Sequence, residues 1–287
     1  MPSFNPFGTA NTQSTITMLT TGLRELGHDL SDTLAAKIAN ADAASRVPDR
    51  LSPDATKAAR LWFDAYAKGK DPALDPEILE LLTRSNEAVR GLETHLQDLA
   101  EQVKVEAVSE AADEIVTVLQ GVVAEAQEHI DEARTRIGPV ITEGRASGMS
   151  PDNARQYARA KEAFARVGIA RKLWVALANF TRRATWRPGR VEELLILADL
   201  NLDALDQISQ RVHHARSRGG VTSAALYQYD ARTLTEFGYR LDLADFDSFR
   251  ERQNRIAEET KSRGDASQQR PKEHDGIDPS RLRSAQA

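Results

Sequence analysis

VRGLETHLQDLAEQV, residues 89–103, sets Val89, Leu92, Leu96, Leu99 and Val103 at alternating three- and four-residue steps. In a helix of 3.6 residues per turn these positions form one line, and an apolar line of that kind needs a second helix to cover it. After a five-residue slip the pattern restarts as Val108, Ala112, Ile115, Leu119, Val122, Ala126, Ile130, Ala133, Ile137 and Val140. Between Glu77 and Ile137 there is no proline, and the only glycines are Gly91 and Gly121. One helix over 78–141 would be roughly 95 Å long, against about 50 Å across a compact globule of this chain length. The spacing therefore predicts an elongated molecule, or a helix that breaks near Gly121. The expected fold class is all-α: an elongated helical bundle with a long coiled-coil-like central helix and a disordered C-terminal tail.

Working outward, Asp75-Pro76-Glu77 opens the long helix, with proline at its first position and acids at the positive end of its dipole. Upstream, Ile16, Leu19, Leu23, Leu26, Leu30, Leu34 and Ile38 share one face of a helix expected over about Ser14 to Ala44. Its opposite face starts with threonines (Thr15, Thr17, Thr20, Thr21) instead of charges. Downstream, Ser150-Pro151-Asp152 restarts a helix whose buried face is Tyr157, Ala160, Phe164, Val167, Leu173, Trp174, Leu177 and Phe180. Another helix is expected from about Arg190 to Arg218, and two shorter ones hinged near Gly238. The organisation expected is residues 1–50 as an N-terminal amphipathic helix, 51–142 as a short helix plus the long acidic one, 150–262 as basic and mixed helices completing a bundle, and 263–287 as a disordered tail.

The chain of 287 residues is 40% hydrophobic, 28% charged and 6% aromatic, which favours helix over sheet. It has no cysteine, so disulfides, thiolate metal sites and cysteine nucleophiles are excluded. No run of 18 apolar residues spans a membrane, and MPSFNPFG lacks the features of a secretory signal, so a cytoplasmic location is expected. The net charge of −5 conceals a separation. Residues 75–133 hold fifteen acidic side chains against Arg84, Arg90 and Lys104, whereas 153–190 hold ten basic ones against Glu162 alone. Helix 152–181 is therefore expected to run back antiparallel along the acidic helix, leaving residues 78–105 as an arm. That arm would pair with the N-terminal helix or with a second copy.

Motifs for chemistry are weak. Neither GxxxxGK[ST] nor GxGxxG occurs. GRASG at 144–148 misplaces its serine by one position for a nucleophile elbow. Asp199, Asn201 and Asp203 begin like a calcium loop, but Ala204 stands where glycine must turn the chain and Gln210 where a bidentate glutamate is required. His213 and His214 diverge on a helix, and the chain supplies no pair of Glu-x-x-His steps for a di-metal bundle. No catalytic residue, cofactor or metal is expected.

Two surfaces remain. The seam Val89, Leu92, Leu96, Leu99, Val103 suits coiled-coil pairing in a homo-oligomer or with a helical protein partner. The segment carrying Arg171, Lys172, Arg182, Arg183, Trp186, Arg187 and Arg190 combines dense positive charge with an indole, the elements that bind phosphates and stack on bases. The expected function is that of a non-enzymatic structural, scaffold or adaptor protein acting by self-association or partner binding. The alternatives are an accessory protein for nucleic acid or an acidic protein, using 166–190, and a lipid-surface protein using the Thr-rich helix. Membrane contact is the less expected of these, because such a helix more often docks on its own bundle.

Overall fold

The computed structural model describes residues 10–45, 61, 65, 68–71, 74–138, 149–185, 191–218 and 229–269, without side chains at 10–11, 81–96, 215–218 and 266–269. Every regular element among them is helical.

Where one N-terminal helix was expected there are two, α1 (Ala10–Glu25) and α2 (Asp32–Ala44). Gly27 separates them with φ of +85°, and the His28 N–H reaches back to the Leu23 carbonyl at 2.9 Å in a glycine-terminated helix end. The apolar spacing through Leu26 and Leu30 hides this turn.

The long helix is also divided. α3 (Pro76–Glu110) begins as the sequence suggests: the Asp75 carboxylate accepts the Glu77 N–H at 3.0 Å, with Pro76 following it. It ends at Ala111 and α4 (Ala112–Ile137) follows at once, led by Asp113 and Glu114. The break is not at Gly121, which sits inside α4. At Ala111 ψ rises to −2°, although its N–H still reaches the Ala107 carbonyl and its own carbonyl accepts from Ile115. The segment is thus two consecutive helices of 35 and 26 residues, about 52 and 39 Å.

α5 (Pro151–Thr181) starts where Ser150 Oγ accepts the Asn153 N–H. It lies antiparallel on α4, as the ion pairs Arg166–Glu125 (2.9 Å) and Arg183–Asp113 (2.6 Å) show. The core is the α4 stripe from Ala112 to Ala133 set against Ala160, Val167, Leu173, Trp174 and Leu177 of α5. The α4 stripe contains the downstream repeat from Ala112 through Ala133; Ile137 is half-buried, and Val140 lies outside the described residues. α1 joins this core through Ile16, Leu19, Leu23 and Leu26.

The helix expected over 190–218 divides into a 3-10 helix, Val191–Ile196, and α6 (Leu202–Arg218). Leu194 through Ala198 and Leu200 are all buried, so this run is enclosed on every side and gains nothing from helical amphipathicity. Asn201 then caps α6 by accepting the Ala204 N–H at 2.9 Å. After α7 (Ala231–Glu236) an extended strap, 239–245, leads into α8 (Phe246–Gln269). The strap bonds to the buried run (Asp242 N–H to Leu197, Ala244 N–H to Ile196) and to side chains of both central helices. Gln127 Oε1 accepts the Leu241 N–H, Gln120 donates to the Leu243 carbonyl, and Trp174 Nε1 donates to the Ala244 carbonyl at 2.8 Å. Trp174 is fully buried against Phe246 and Phe249, with ring centroids 5.3 and 5.0 Å away. Helix continues past Gly264 to Gln269, and the rest of the expected tail lies outside the described residues.

Candidate functional site: an uncovered edge of α3

α2 runs antiparallel along the C-terminal part of α3, pinned by Lys37–Glu110 (2.5 Å) and Lys104–Asp42 (2.6 Å). Beneath it Ala100, Lys104, Ala107 and Val108 are buried. Lys104 is 5% exposed and also contacts Glu101 at 3.4 Å. Burial alone would lower its pKa, but the hydrogen bond it donates to Asp42 and the charges of Glu101 and Asp42 outweigh it and raise the value above 10.5. The ammonium therefore stays charged as a clamp between the two helices.

Leu99 and Val103, each one residue before a member of that buried stripe, are 57% and 43% exposed. Adjacent residues on a helix diverge by about 100°, so α2 covers one side of α3 and leaves the apolar line on another. Val89, Leu92 and Leu96 occupy the same line by their spacing on the backbone of α3. Leu79, near the start of α3, is 46% exposed. The intramolecular partner of α3 thus uses a stripe offset by one residue from the seam the sequence advertises. The slip between Val103 and Val108 was the signal of two frames: α2 lies along the C-terminal part of α3, where the second begins, and α5 covers it from Ala112 onward.

Of the basic segment, Arg171, Lys172, Arg182 and Arg183 are described, and two of them are engaged by the fold. Arg171 donates to the Tyr229 carbonyl at 3.2 Å and to Glu193, itself 8% exposed. Arg183 pairs with Asp113 and stacks 4.8 Å from the centre of the Phe246 ring, and its carbonyl accepts from Arg250. Both are struts of the fold. Lys172 is exposed, as is Arg182, which ends α5 at φ of +55°. Trp186, Arg187 and Arg190 lie outside the described residues. The acid that neutralises Arg171 lies just beyond the basic stretch, and a charge count ending at 190 misses it.

Among the described residues no three His, Asp or Glu side chains are placed to hold a metal. Asp199 is bound by Arg255, and Asp203 and Asp206 by Arg263, so the calcium-like triplet serves α6 and α8 instead. A cleft of about 580 Å³ beside them is lined by Asp203, Arg255, Glu259 and Arg263, groups already engaged with one another or with the backbone. The apolar stripe of α1 is buried in the core, along with Thr12 and Thr15, and no described helix is long and apolar enough to cross a membrane. Comparison of the chain with protein-family models, with curated proteins and with solved structures finds no match.

Proposed function

We propose that the chain is a non-enzymatic scaffold or adaptor that works in the cytoplasm by coiled-coil pairing, its docking edge being the α3 line through Val89, Leu92, Leu96, Leu99 and Val103. One observation carries this reading: Leu99 and Val103 stay exposed although α3 already has a covering helix on its neighbouring face. Pairing would remove apolar area from water at about 25 cal/mol per Å² and interlock with a facing helix. A chain without cysteine requires no oxidising compartment. Nothing in the arrangement of Arg171 and Arg183 favours the nucleic-acid reading over this one, because both guanidinium groups are engaged inside the protein.

The test is the double variant Leu99→Glu with Val103→Glu, placed on exposed positions so that the fold is kept. Circular dichroism should match the wild type, while sedimentation velocity should show association weakened at least ten-fold. Undiminished association would locate the interface elsewhere.

A further inference from the structure

Between α5 and the start of α7 lies a cleft of about 300 Å³, at the lower end of the range for small-molecule sites. Its floor is apolar, made by the buried side chains of Phe164, Val167, Leu197 and Ala231. Lys161, Arg171 and Arg232 stand around it, against the carboxylate of Asp230. Two of these charged groups are committed to the fold. Arg171 holds Glu193 and the Tyr229 carbonyl, and Asp230 accepts the Thr233 N–H at 3.0 Å to cap α7. Arg232 differs. It is exposed, its guanidinium lies 5.5 Å from the centre of the Phe164 ring, and among the described residues it makes no hydrogen bond or ion pair. Glu236, one turn along α7, feels its charge without pairing with it. Gly168 completes the wall from inside α5, where glycine is a poor helix former. A β-carbon there would meet no atom within 4 Å, so packing does not demand the glycine, and the missing side chain keeps that stretch of the wall open.

We propose that this cleft binds a small organic anion, its carboxylate or phosphate on Arg232 and its apolar body over Val167, Gly168 and Leu197. A guanidinium carries five N–H donors and no acceptor, in a planar fork that matches the oxygens of a carboxylate or phosphate. The Phe164 ring holds this one at the edge of the cleft. Cations outnumber carboxylates three to one in the lining, which favours negative charge in a ligand. A cationic ligand would find only Asp230, already used as a cap, and a neutral one would leave the Arg232 donors unused. Size argues for a small molecule over a docked helix. A single helical turn, about 10 Å across and 5.4 Å tall, fills about 420 Å³. The site is built on α5, α7 and Leu197 and does not depend on the α3 edge.

The test is a fluorescence titration of the full-length chain with two probes: 8-anilinonaphthalene-1-sulfonate, an aryl anion, and N-phenyl-1-naphthylamine, the same rings without the sulfonate. The wild type should bind the anion saturably. Arg232→Gln should raise its Kd by at least about five-fold while changing that of the uncharged probe by less than about two-fold. Gly168→Leu, which fills the cleft, should weaken both probes by at least about five-fold with the circular dichroism of the wild type. Should that variant fail to fold, Arg232→Gln, at an exposed position, decides by itself. No saturable binding by the wild type, or an unchanged anion Kd in Arg232→Gln, would overturn the proposal. Equal weakening of both probes by Arg232→Gln would overturn the assignment of an anion. Full binding by a folded Gly168→Leu would overturn the cleft as its seat. Loss of binding only in Leu99→Glu with Val103→Glu would move the probe to the α3 edge, overturning the proposal and leaving the docking edge in place.

Discussion

Gly22 of α1 approaches Leu173 of α5 so closely that a β-carbon on it would lie 2.6 Å from the Leu173 Cδ2 and 3.1 Å from its Cγ. Leu173 is 2% exposed, so it has little room to yield. By contrast, a β-carbon at Gly121 of α4 would meet no atom within 4 Å. Alanine for glycine inside a helix gains about 0.5–1 kcal/mol from backbone propensity, and forcing atoms into a filled core costs about 1–3 kcal/mol. Gly121→Ala should therefore stabilise the protein by about 0.5–1 kcal/mol in urea denaturation. Gly22→Ala should destabilise it by about 1 kcal/mol, and Gly22→Val by more. Equal stabilisation by both alanines would contradict the close docking of α1.

The strap depends on a hydrogen bond from deep in the core. Gln127 is 1% exposed, and its Oε1 accepts the Leu241 N–H at 2.8 Å in a buried setting. Gln127→Leu would leave that N–H without a partner, at a cost of about 1–3 kcal/mol. Thermal unfolding should show the loss. A change within 0.5 kcal/mol would mean that the strap is not held this way.

Lys104 is a buried cation under α2 and binds Asp42 and Glu101. Asp42 is 43% exposed and can return to water, so Lys104→Ala should cost less than the loss of a fully enclosed pair, about 1–2 kcal/mol. Amide exchange should quicken over 32–44 while α4 and α5 keep their protection. Uniform loosening of the whole molecule would contradict a local clamp.

Two carboxylates give the stability a pH dependence of known sign. The Ser248 N–H, bonded at 2.7 Å where Asp245 caps α8, holds Asp245 below its ordinary 3.8. Glu125 is held below 4.5 by its hydrogen bond from Arg166. With folded values lower than unfolded ones, each contributes stability that is present above the unfolded value and lost as pH falls through the folded one. Asp245→Asn keeps an acceptor but cannot titrate. Its deficit relative to the wild type should shrink as pH is lowered from 5 to about 2.5. A deficit independent of pH would contradict a charged cap.

Periodic features were legible in the sequence, and features made by distant chain segments were not. The starts of α3 and α5 could be read from Asp75-Pro76 and Ser150-Pro151 because capping is decided within four residues. The buried stripe of α4 could be read because its partner lies along its whole length. The turn at Gly27 was masked, since Leu23, Leu26, Leu30 and Leu34 keep helical spacing across it. The run Leu194–Ala198 also matched helical spacing, yet it is buried on all sides and pairs with a strap more than forty residues away. For the proposed docking edge, the apolar line was legible. Its offset from the stripe under α2 was not, because α2 enters from a part of the chain some sixty residues earlier.

The central claim is that the line through Leu99 and Val103 is covered by a helix of another chain. Light scattering on the wild type between about 1 and 100 µM, the span over which weak and tight coiled-coil pairs both become visible, measures this most directly. The expected result is a mass rising to twice the 31.7 kDa of the chain. A constant 31.7 kDa across that range would contradict it.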